Sequence, residues 1–264
     1  MYKFKYLLNL RFFLFFLSIA TFSQNGKGVV FYGEIKSLGS GAKNGPERIA
    51  LLVFDKSLSS YVALKDSLDN LQSTEFKEYY ENKSGSGGTF IKGSLYKTKY
   101  GFQVYTDFTK DSVYSSYSWE KYVYIKEKIH NINWKLLNET KKIGNFDCKK
   151  AIGIFRGREY TAWYTEKIPV PYGPWKLQGL PGLILEAYNK EQEIYFLAKK
   201  IEFPSKSTTE ISKVIKPKDM NWISQKEFLK WCDARQQEIY ERGILMKIDM
   251  IRASLVNDFK EISE

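Results

Sequence analysis

Residues 179–186 read Gly179-Leu180-Pro181-Gly182-Leu183-Ile184-Leu185-Glu186, and this stretch determines the fold around it. Glycine permits a positive φ on both sides of Leu180-Pro181, and proline fixes its own φ. The sequence therefore predicts a rigid turn that leads into a strand at 183–185. Two interpretations stay open. The turn is either a packing device or the rim of a cavity whose aromatic side chains hold a ligand.

The segments on either side of this turn predict two β-hairpins. Runs 146–155 and 159–166 flank the turn residues 156–158, and runs 183–188 and 193–203 flank a second polar turn. The strand at 159–166 carries aromatic residues on both faces, which indicates that both faces are covered. Between the hairpins, 168–182 is rich in proline and glycine, but it also carries large apolar side chains, so it predicts an ordered loop.

Composition and periodicity predict a mainly β (α+β) protein, built as a curved antiparallel sheet or half-barrel with C-terminal helices. The region 28–203 is strand-rich, 222–264 is helical, and 24–264 forms a single domain. Short β-rich runs recur from 28 to 138, with a short helix at 66–81. Ser224 and Glu227 have the spacing of a capping box, and a second amphipathic segment covers 244–262 after Gly243.

The N-terminal residues predict a signal peptide over 1–23, because a basic start precedes the short apolar run 12–20. That run is too short for a membrane span, which needs about 20 residues. Small residues favour cleavage before Gln24, and no cysteine lies there to accept a lipid. We therefore expect a periplasmic or secreted protein that is not a lipoprotein and is not membrane-spanning after processing.

Charge and residue counts restrict the chemistry. The formal net charge is +11, and removal of 1–23 leaves 38 basic against 30 acidic residues, or +8. Export argues against a nucleic-acid partner and leaves a lipid or an envelope protein as possible partners. His130 is the single histidine, so the sequence supplies no histidine-rich metal site and no convincing Ser–His–Asp triad. No cofactor is predicted. Cys148 and Cys232 either pair in an oxidising compartment or pack separately.

The chain resembles the GLPGLI family, which consists of exported bacterial proteins without an assigned activity. The resemblance is strongest over 141–189 and rests on short motifs in a fixed order: Lys141-Lys142-Ile143-Gly144, Cys148-Lys149-Lys150-Ala151, Gly157-Arg158, Ala162-Trp163-Tyr164, Ile168-Pro169, Gly173-Pro174-Trp175 and Gly179 to Glu186. It implies a mostly antiparallel β protein. The layout is also similar to a bowl-like domain that precedes the catalytic part of some bacterial peptide N-glycanases, and to half-barrel lipoprotein carriers. Similarity of fold does not fix function.

The sequence favours a non-enzymatic binding or carrier protein for an apolar or amphiphilic ligand. No catalytic or metal-binding residue is predicted. The structural motif is Gly179, Leu180, Pro181, Gly182, Leu183 and Ile184, and the candidate ligand-binding residues are Arg158, Trp163, Tyr164, Tyr172, Trp175 and Leu180. A structural or interaction module for an envelope partner is the alternative. A carboxylate-based hydrolase that uses Glu159, Glu166 or Glu186 is the weaker one.

Overall fold

The computed structural model describes residues 26–37, 39–63, 99–119 and 121–241. This part of the chain is mostly β, with one α-helix and a single 3₁₀ turn at Phe108–Lys110. Four sequence predictions lie wholly or partly outside it: the signal peptide at 1–23, the short helix at 66–81, the part of the β-rich stretch at 64–98 and the second amphipathic segment at 244–262. For the described residues, the prediction of a mainly β fold is confirmed.

Twelve described strands form one sheet, and the helix follows the last of them. The strands are β1 (Gly28–Lys36), β2 (Arg48–Phe54), β3 (Leu58–Ala63), β4 (Phe102–Asp107), β5 (Ser112–Trp119), β6 (Lys121–Lys128), β7 (Lys135–Ile143), β8 (Phe146–Phe155), β9 (Arg158–Thr165), β10 (Leu183–Asn189), β11 (Ile194–Glu202) and β12 (Trp222–Ile223); the helix is α1 (Gln225–Glu241). Both predicted hairpins around the signature sequence, β8–β9 and β10–β11, are confirmed.

The strand order is β12-β6-β5-β4-β3-β2-β1-β11-β10-β9-β8-β7. All neighbouring pairs are antiparallel except β12 and β6, which run parallel. Strands β2 to β6 and β7 to β11 are two meanders of sequential neighbours. The first strand, β1, joins them because it pairs with β2 on one side and β11 on the other.

The sheet is strongly curved, as the short connection between β6 and β7 requires. In a flat sheet these two strands would lie ten inter-strand spacings apart, or about 48 Å. The link from Lys128 to Lys135 spans at most about 25 Å when fully extended. The ends of the sheet therefore approach each other. Glu127 of β6 confirms this, because its carboxylate binds Arg156 at the β8–β9 turn, 2.6 Å away.

Residues 168–182, which we call the signature loop, fill much of the concave face. The ring of Tyr172 lies 5.7 Å from Phe54 of β2 and 5.3 Å from Phe108. On the same face, the hydroxyl of Tyr32 donates a 2.6 Å hydrogen bond to the carbonyl of Ile184. The main apolar core thus lies between the curved sheet and this loop.

After β11 the chain crosses the convex face and returns to the concave one. The amide of Ser212 donates to the hydroxyl of Ser60 in β3, and the amide of Ile215 donates to Gln103 in β4. β12 then pairs with the edge of β6, and α1 packs on the concave side. Ser224 and Glu227 form the predicted capping box, with reciprocal bonds of 2.7 and 3.2 Å.

Candidate functional site

The structure buries the predicted ligand-binding residues instead of lining an open surface with them. Tyr164, Tyr172 and Leu180 are each 1% exposed, and Trp163 and Trp175 are each 8% exposed; all five belong to the main core. Arg158 is also largely covered and forms an ion pair with Glu193 at 3.6 Å. Whether any of these residues contacts a ligand stays a prediction.

These residues also lie on both sides of the sheet. Trp163 alternates with Tyr164 along β9, and Tyr164 has the same parity as the concave residue Ala162. On the opposite, convex face, Trp163 contacts the ammonium of Lys141, which lies 4.3 Å from the ring centroid. A single small ligand therefore cannot contact the whole predicted set.

On the convex face, Trp163 borders a network around Glu186. One carboxylate oxygen of Glu186 binds the ammonium of Lys141, and the other accepts a 2.7 Å hydrogen bond from the hydroxyl of Tyr195. Burial first, and then the neighbouring Glu186 carboxylate, raise the pKa of Tyr195. The final residue of the signature sequence is therefore one member of a surface ion-pair and aromatic network.

The signature loop is held by its own backbone and by two glycines with different roles. The amides of Leu183 and Ile184 donate 2.9 Å hydrogen bonds to the carbonyls of Ile168 and Tyr172. Gly179 has φ +92°, a conformation that glycine permits. Gly182 lacks a positive φ, and its requirement is spatial: an added Cβ would lie 2.2 Å from the carbonyl oxygen of Thr165. At Gly182, therefore, close packing against Thr165 requires glycine, and the backbone conformation does not.

A buried ion cluster links the loop to the far end of the sheet. Glu127 of β6 binds Arg156 through Oε2 and Lys176 through Oε1. Burial lowers the pKa of Lys176 to about 8, against the opposing effect of the Glu127 carboxylate. Burial alone would raise the pKa of Glu127, but the charges of Lys176 and Arg156 lower it below its usual value. This cluster connects β6 to the β8–β9 turn and to the signature loop.

The three glutamates considered for hydrolysis do not converge. Glu159 is exposed near the start of β9, and Glu166 lies just beyond the end of that strand, about 23 Å away along it. Glu166 forms an exposed ion pair with Lys149, whereas Glu186 binds Lys141. Each of the last two is thus held by a different lysine, and nothing in their placement pairs two carboxylates across a cleft.

The concave face carries a second, smaller apolar cluster under α1. It consists of Ile125 of β6 with Phe228 and Cys232 of the helix. Phe228 also lies 5.3 Å from the ring of Tyr117 in β5. This cluster is separate from the main core around the signature loop, although both lie on the same face of the sheet.

Buried polar groups lie where the two clusters meet, and we call Ser115, Glu127 and Gln225 the polar seam. Ser115 opposes Val104 of the main core on one side and Ile125 of the small cluster on the other. It is 1% exposed, and Gln225 is 5% exposed. Within the described residues, neither the hydroxyl of Ser115 nor either amide atom of Gln225 has a hydrogen-bond partner.

The sequence interpretation missed the polar seam, although one signal was present. Gln225, Phe228 and Cys232 follow each other at helical spacing, so Gln225 belongs to the stripe that faces the sheet. A buried amide at such a position requires a partner, because buried polar groups are almost always hydrogen-bonded. Ser115 gave no such signal, since serine is common on both faces of β5.

Cys148 and Cys232 are both unpaired and buried, and burial raises the pKa of Cys148 to about 11 and that of Cys232 to about 12. Of the two possibilities, the structure shows separate packing. Among residues 26–37, 39–63, 99–119 and 121–241, no group of three histidine, cysteine or acidic residues is placed to hold a metal ion. The same part of the chain contains no helix long and apolar enough to cross a membrane.

Comparison with known families gives a match to the region around the signature loop. Residues 155–186 match a family described as "Protein of unknown function (Porph_ging)". This segment contains the β8–β9 turn, β9, the signature loop and the first half of β10. It lies within the range 141–189 that carries the sequence resemblance. The GLPGLI name stays a prediction, and no curated protein matches the chain.

Solved structures of PNGF-II resemble the fold. One of them, in space group P21, superposes with a TM-score of 0.51 at 13% sequence identity, over 79% of this chain and 32% of that one. A second, in space group C2, gives a TM-score of 0.45 at 13% identity, over 75% and 31%. The chain thus spans about a third of the length of PNGF-II. At this identity the first likeness shows the fold alone.

Proposed function

We propose that this chain is an exported, non-enzymatic binding protein of the cell envelope that holds a small amphiphilic ligand on the concave face under α1. One observation carries the proposal. The concave face has two apolar clusters separated by buried polar groups that lack partners among the described residues. A ligand with an apolar part and a polar part would satisfy both kinds of surface.

The signature loop has a structural role in this proposal. Its aromatic residues fill the concave face around Tyr172, so the space that a half-barrel carrier would offer there is occupied by the protein itself. The ligand-binding region therefore shifts from the loop to the junction of β5, β6 and α1. The fold likeness to PNGF-II supports a module of this architecture, and it contributes nothing about the ligand.

Native mass spectrometry on protein purified from its own compartment without detergent tests the proposal. We expect a co-purified species of low molecular mass that is released by organic solvent. Phe228→Asp should abolish retention of that species, because it places a carboxylate in the small apolar cluster. Lys226→Asp, on the exposed side of the same helix, is the matched control and should retain the ligand. Wild-type protein that is always bare would contradict the proposal.

A second candidate function is a module that docks onto an envelope protein. The observation in its favour is β7, which has only β8 as a neighbour in the described sheet. β7 itself carries the exposed side chain of Leu136 at 53%, and β8 carries that of Ile154 at 63% on the opposite face. Exposed edge strands and apolar groups are typical of interaction sites. Ile154→Lys should then abolish partner capture from envelope extracts, and the concave-face variant Phe228→Asp should not.

A further inference from the structure

We infer that Gln225 and Ser115 form the head-group end of the binding site and select a neutral group that both donates and accepts hydrogen bonds, such as a carboxamide or a diol. The inference rests on the proposed function, since it assigns the chemistry of that same site.

The register of β12 places Gln225 at the seam. Trp222 and Ile223 lie level with Tyr124 and Ile125 in the parallel β6–β12 pair, so Gln225, two residues later, begins α1 at the level of Glu127. From there the helix runs back over Ile125, against which Phe228 packs one turn later. The side chain of Gln225 is buried, and it therefore enters the junction between the helix and the sheet.

The amide of Gln225 requires a ligand with two complementary functions. Its Nε2 is a donor and its Oε1 is an acceptor, and both are buried without a partner in the described part of the chain. A carboxylate only accepts hydrogen bonds and an ammonium only donates them, so either would leave one atom unsatisfied. A carboxamide or a pair of hydroxyls satisfies both. The unpaired hydroxyl of Ser115 adds a group that either donates or accepts.

The charged member of the seam does not compete for the head group. Both carboxylate oxygens of Glu127 are already engaged, one with Arg156 and the other with Lys176. The apolar part of the ligand would lie against Ile125, Phe228 and Tyr117. The site thus combines an apolar wall with a neutral pair of hydrogen-bonding side chains.

Isothermal titration calorimetry at pH 7 with octanamide and octanoate tests the inference, because the two probes share chain length and differ in the head group. We expect wild-type protein to bind octanamide at least about tenfold more tightly than octanoate. Gln225→Met should weaken octanamide binding about tenfold, equivalent to about 1.4 kcal/mol. Gln237→Met, the same change at an exposed position of α1, should leave it unchanged.

A second readout separates a binding role from a structural one. In ligand-free protein, Gln225→Met should raise the melting temperature, because it replaces a buried unpaired amide with an apolar group of similar size. A fall in melting temperature together with unchanged octanamide affinity would overturn the inference. So would tighter binding of octanoate, or failure of both probes to bind. If Gln225→Met still retained the co-purified species, the inference would fail and the proposed function would stand; bare wild-type protein would remove both.

Discussion

Around the signature loop, the concave face is filled by large side chains such as Tyr160, Tyr164 and Tyr172, each 1% exposed. Under α1, by contrast, a few apolar residues lie beside buried polar groups without partners in the described chain. The first region contains the segment that a family model recognises, and the second does not. The recognisable sequence therefore supplies most of the packing on the concave face. Buried polar atoms without a partner in the described chain occur in both regions, at the Tyr172 hydroxyl in the first and at Ser115 and Gln225 in the second.

A substitution at the boundary between the two regions, at Glu127, should give the largest loss of stability. Glu127→Gln removes the carboxylate that Arg156 and Lys176 share, and both cations stay buried without it. We expect a loss of about 3–5 kcal/mol in the free energy of unfolding. Urea denaturation measures it. Glu166→Gln removes a carboxylate from the exposed ion pair with Lys149 and should cost less than about 1 kcal/mol. Equal losses in the two variants would show that the buried cluster stabilises the protein no more than an exposed ion pair does.

Within the loop region, Gly182→Ala should be nearly as damaging. The added Cβ would lie 2.2 Å from the Thr165 carbonyl oxygen, so the loop must move away from β9. We expect a loss of about 3 kcal/mol. The comparison variant is Gly157→Ala, where φ is +75° and nothing lies within 4 Å of an added Cβ, so only backbone strain of about 1–2 kcal/mol applies. Thermal unfolding of the two variants side by side checks the difference.

Lys176, in the ion cluster at the boundary, makes the stability of the folded protein depend on pH above about pH 8. Its pKa is about 8 in the folded protein and 10.5 ordinarily. Below pH 8 the lysine is protonated in both states. Between about pH 8 and 10.5 the unfolded chain holds a proton that the folded protein has released, so stability rises with pH. Relative to Lys176→Met, wild-type protein should gain about 2 kcal/mol between pH 7 and 9.5.

Taking the difference between wild type and Lys176→Met removes the effect of other groups that titrate in the same range, such as the two buried cysteines. Lys167→Met serves as the control, because Lys167 forms an exposed ion pair with Asp147. Its difference from wild type should stay constant across the same pH range. A flat difference for Lys176→Met as well would mean that this lysine keeps its proton throughout.

The smallest loss of stability is expected for a substitution at the start of α1. Ser224→Ala removes the capping-box hydroxyl that accepts from the amide of Glu227. We expect a loss of about 1 kcal/mol. Hydrogen exchange by mass spectrometry should show faster exchange in α1 and unchanged protection in β9 and β10. If protection fell equally in both regions, the two halves of the concave face would unfold as one unit.

Local sequence patterns predicted the parts of the fold that local chemistry determines. The hairpin around Arg156-Gly157 was predicted correctly because turn residues separate two β-rich runs, and α1 because Ser224 and Glu227 have capping-box spacing. The curvature of the sheet was predicted only in general terms. The contact between its two halves involves Glu127 with Arg156 and Lys176, and contacts between such distant positions leave no local periodicity.

The candidate site shows the same division. Aromatic residues on both faces of β9 were predicted to be covered, and Trp163 and Tyr164 are buried on opposite sides. Their density was also interpreted as a ligand-gripping surface, although the loop that covers them is part of the same chain. β12 was missed because two residues, Trp222 and Ile223, show no alternation. Without β12, the position of Gln225 beside Glu127 could not be derived.

The central position of β1 has a consequence for how this chain folds. Its residue Val30 pairs with Leu52 on one side and with Ile201 on the other. One edge of the strand therefore pairs only with a segment that is distant in sequence. Such high contact order slows folding, and an unpaired central strand is a template for association with other chains. The meander β2–β6 can form early, whereas the joining of the two meanders is a late step.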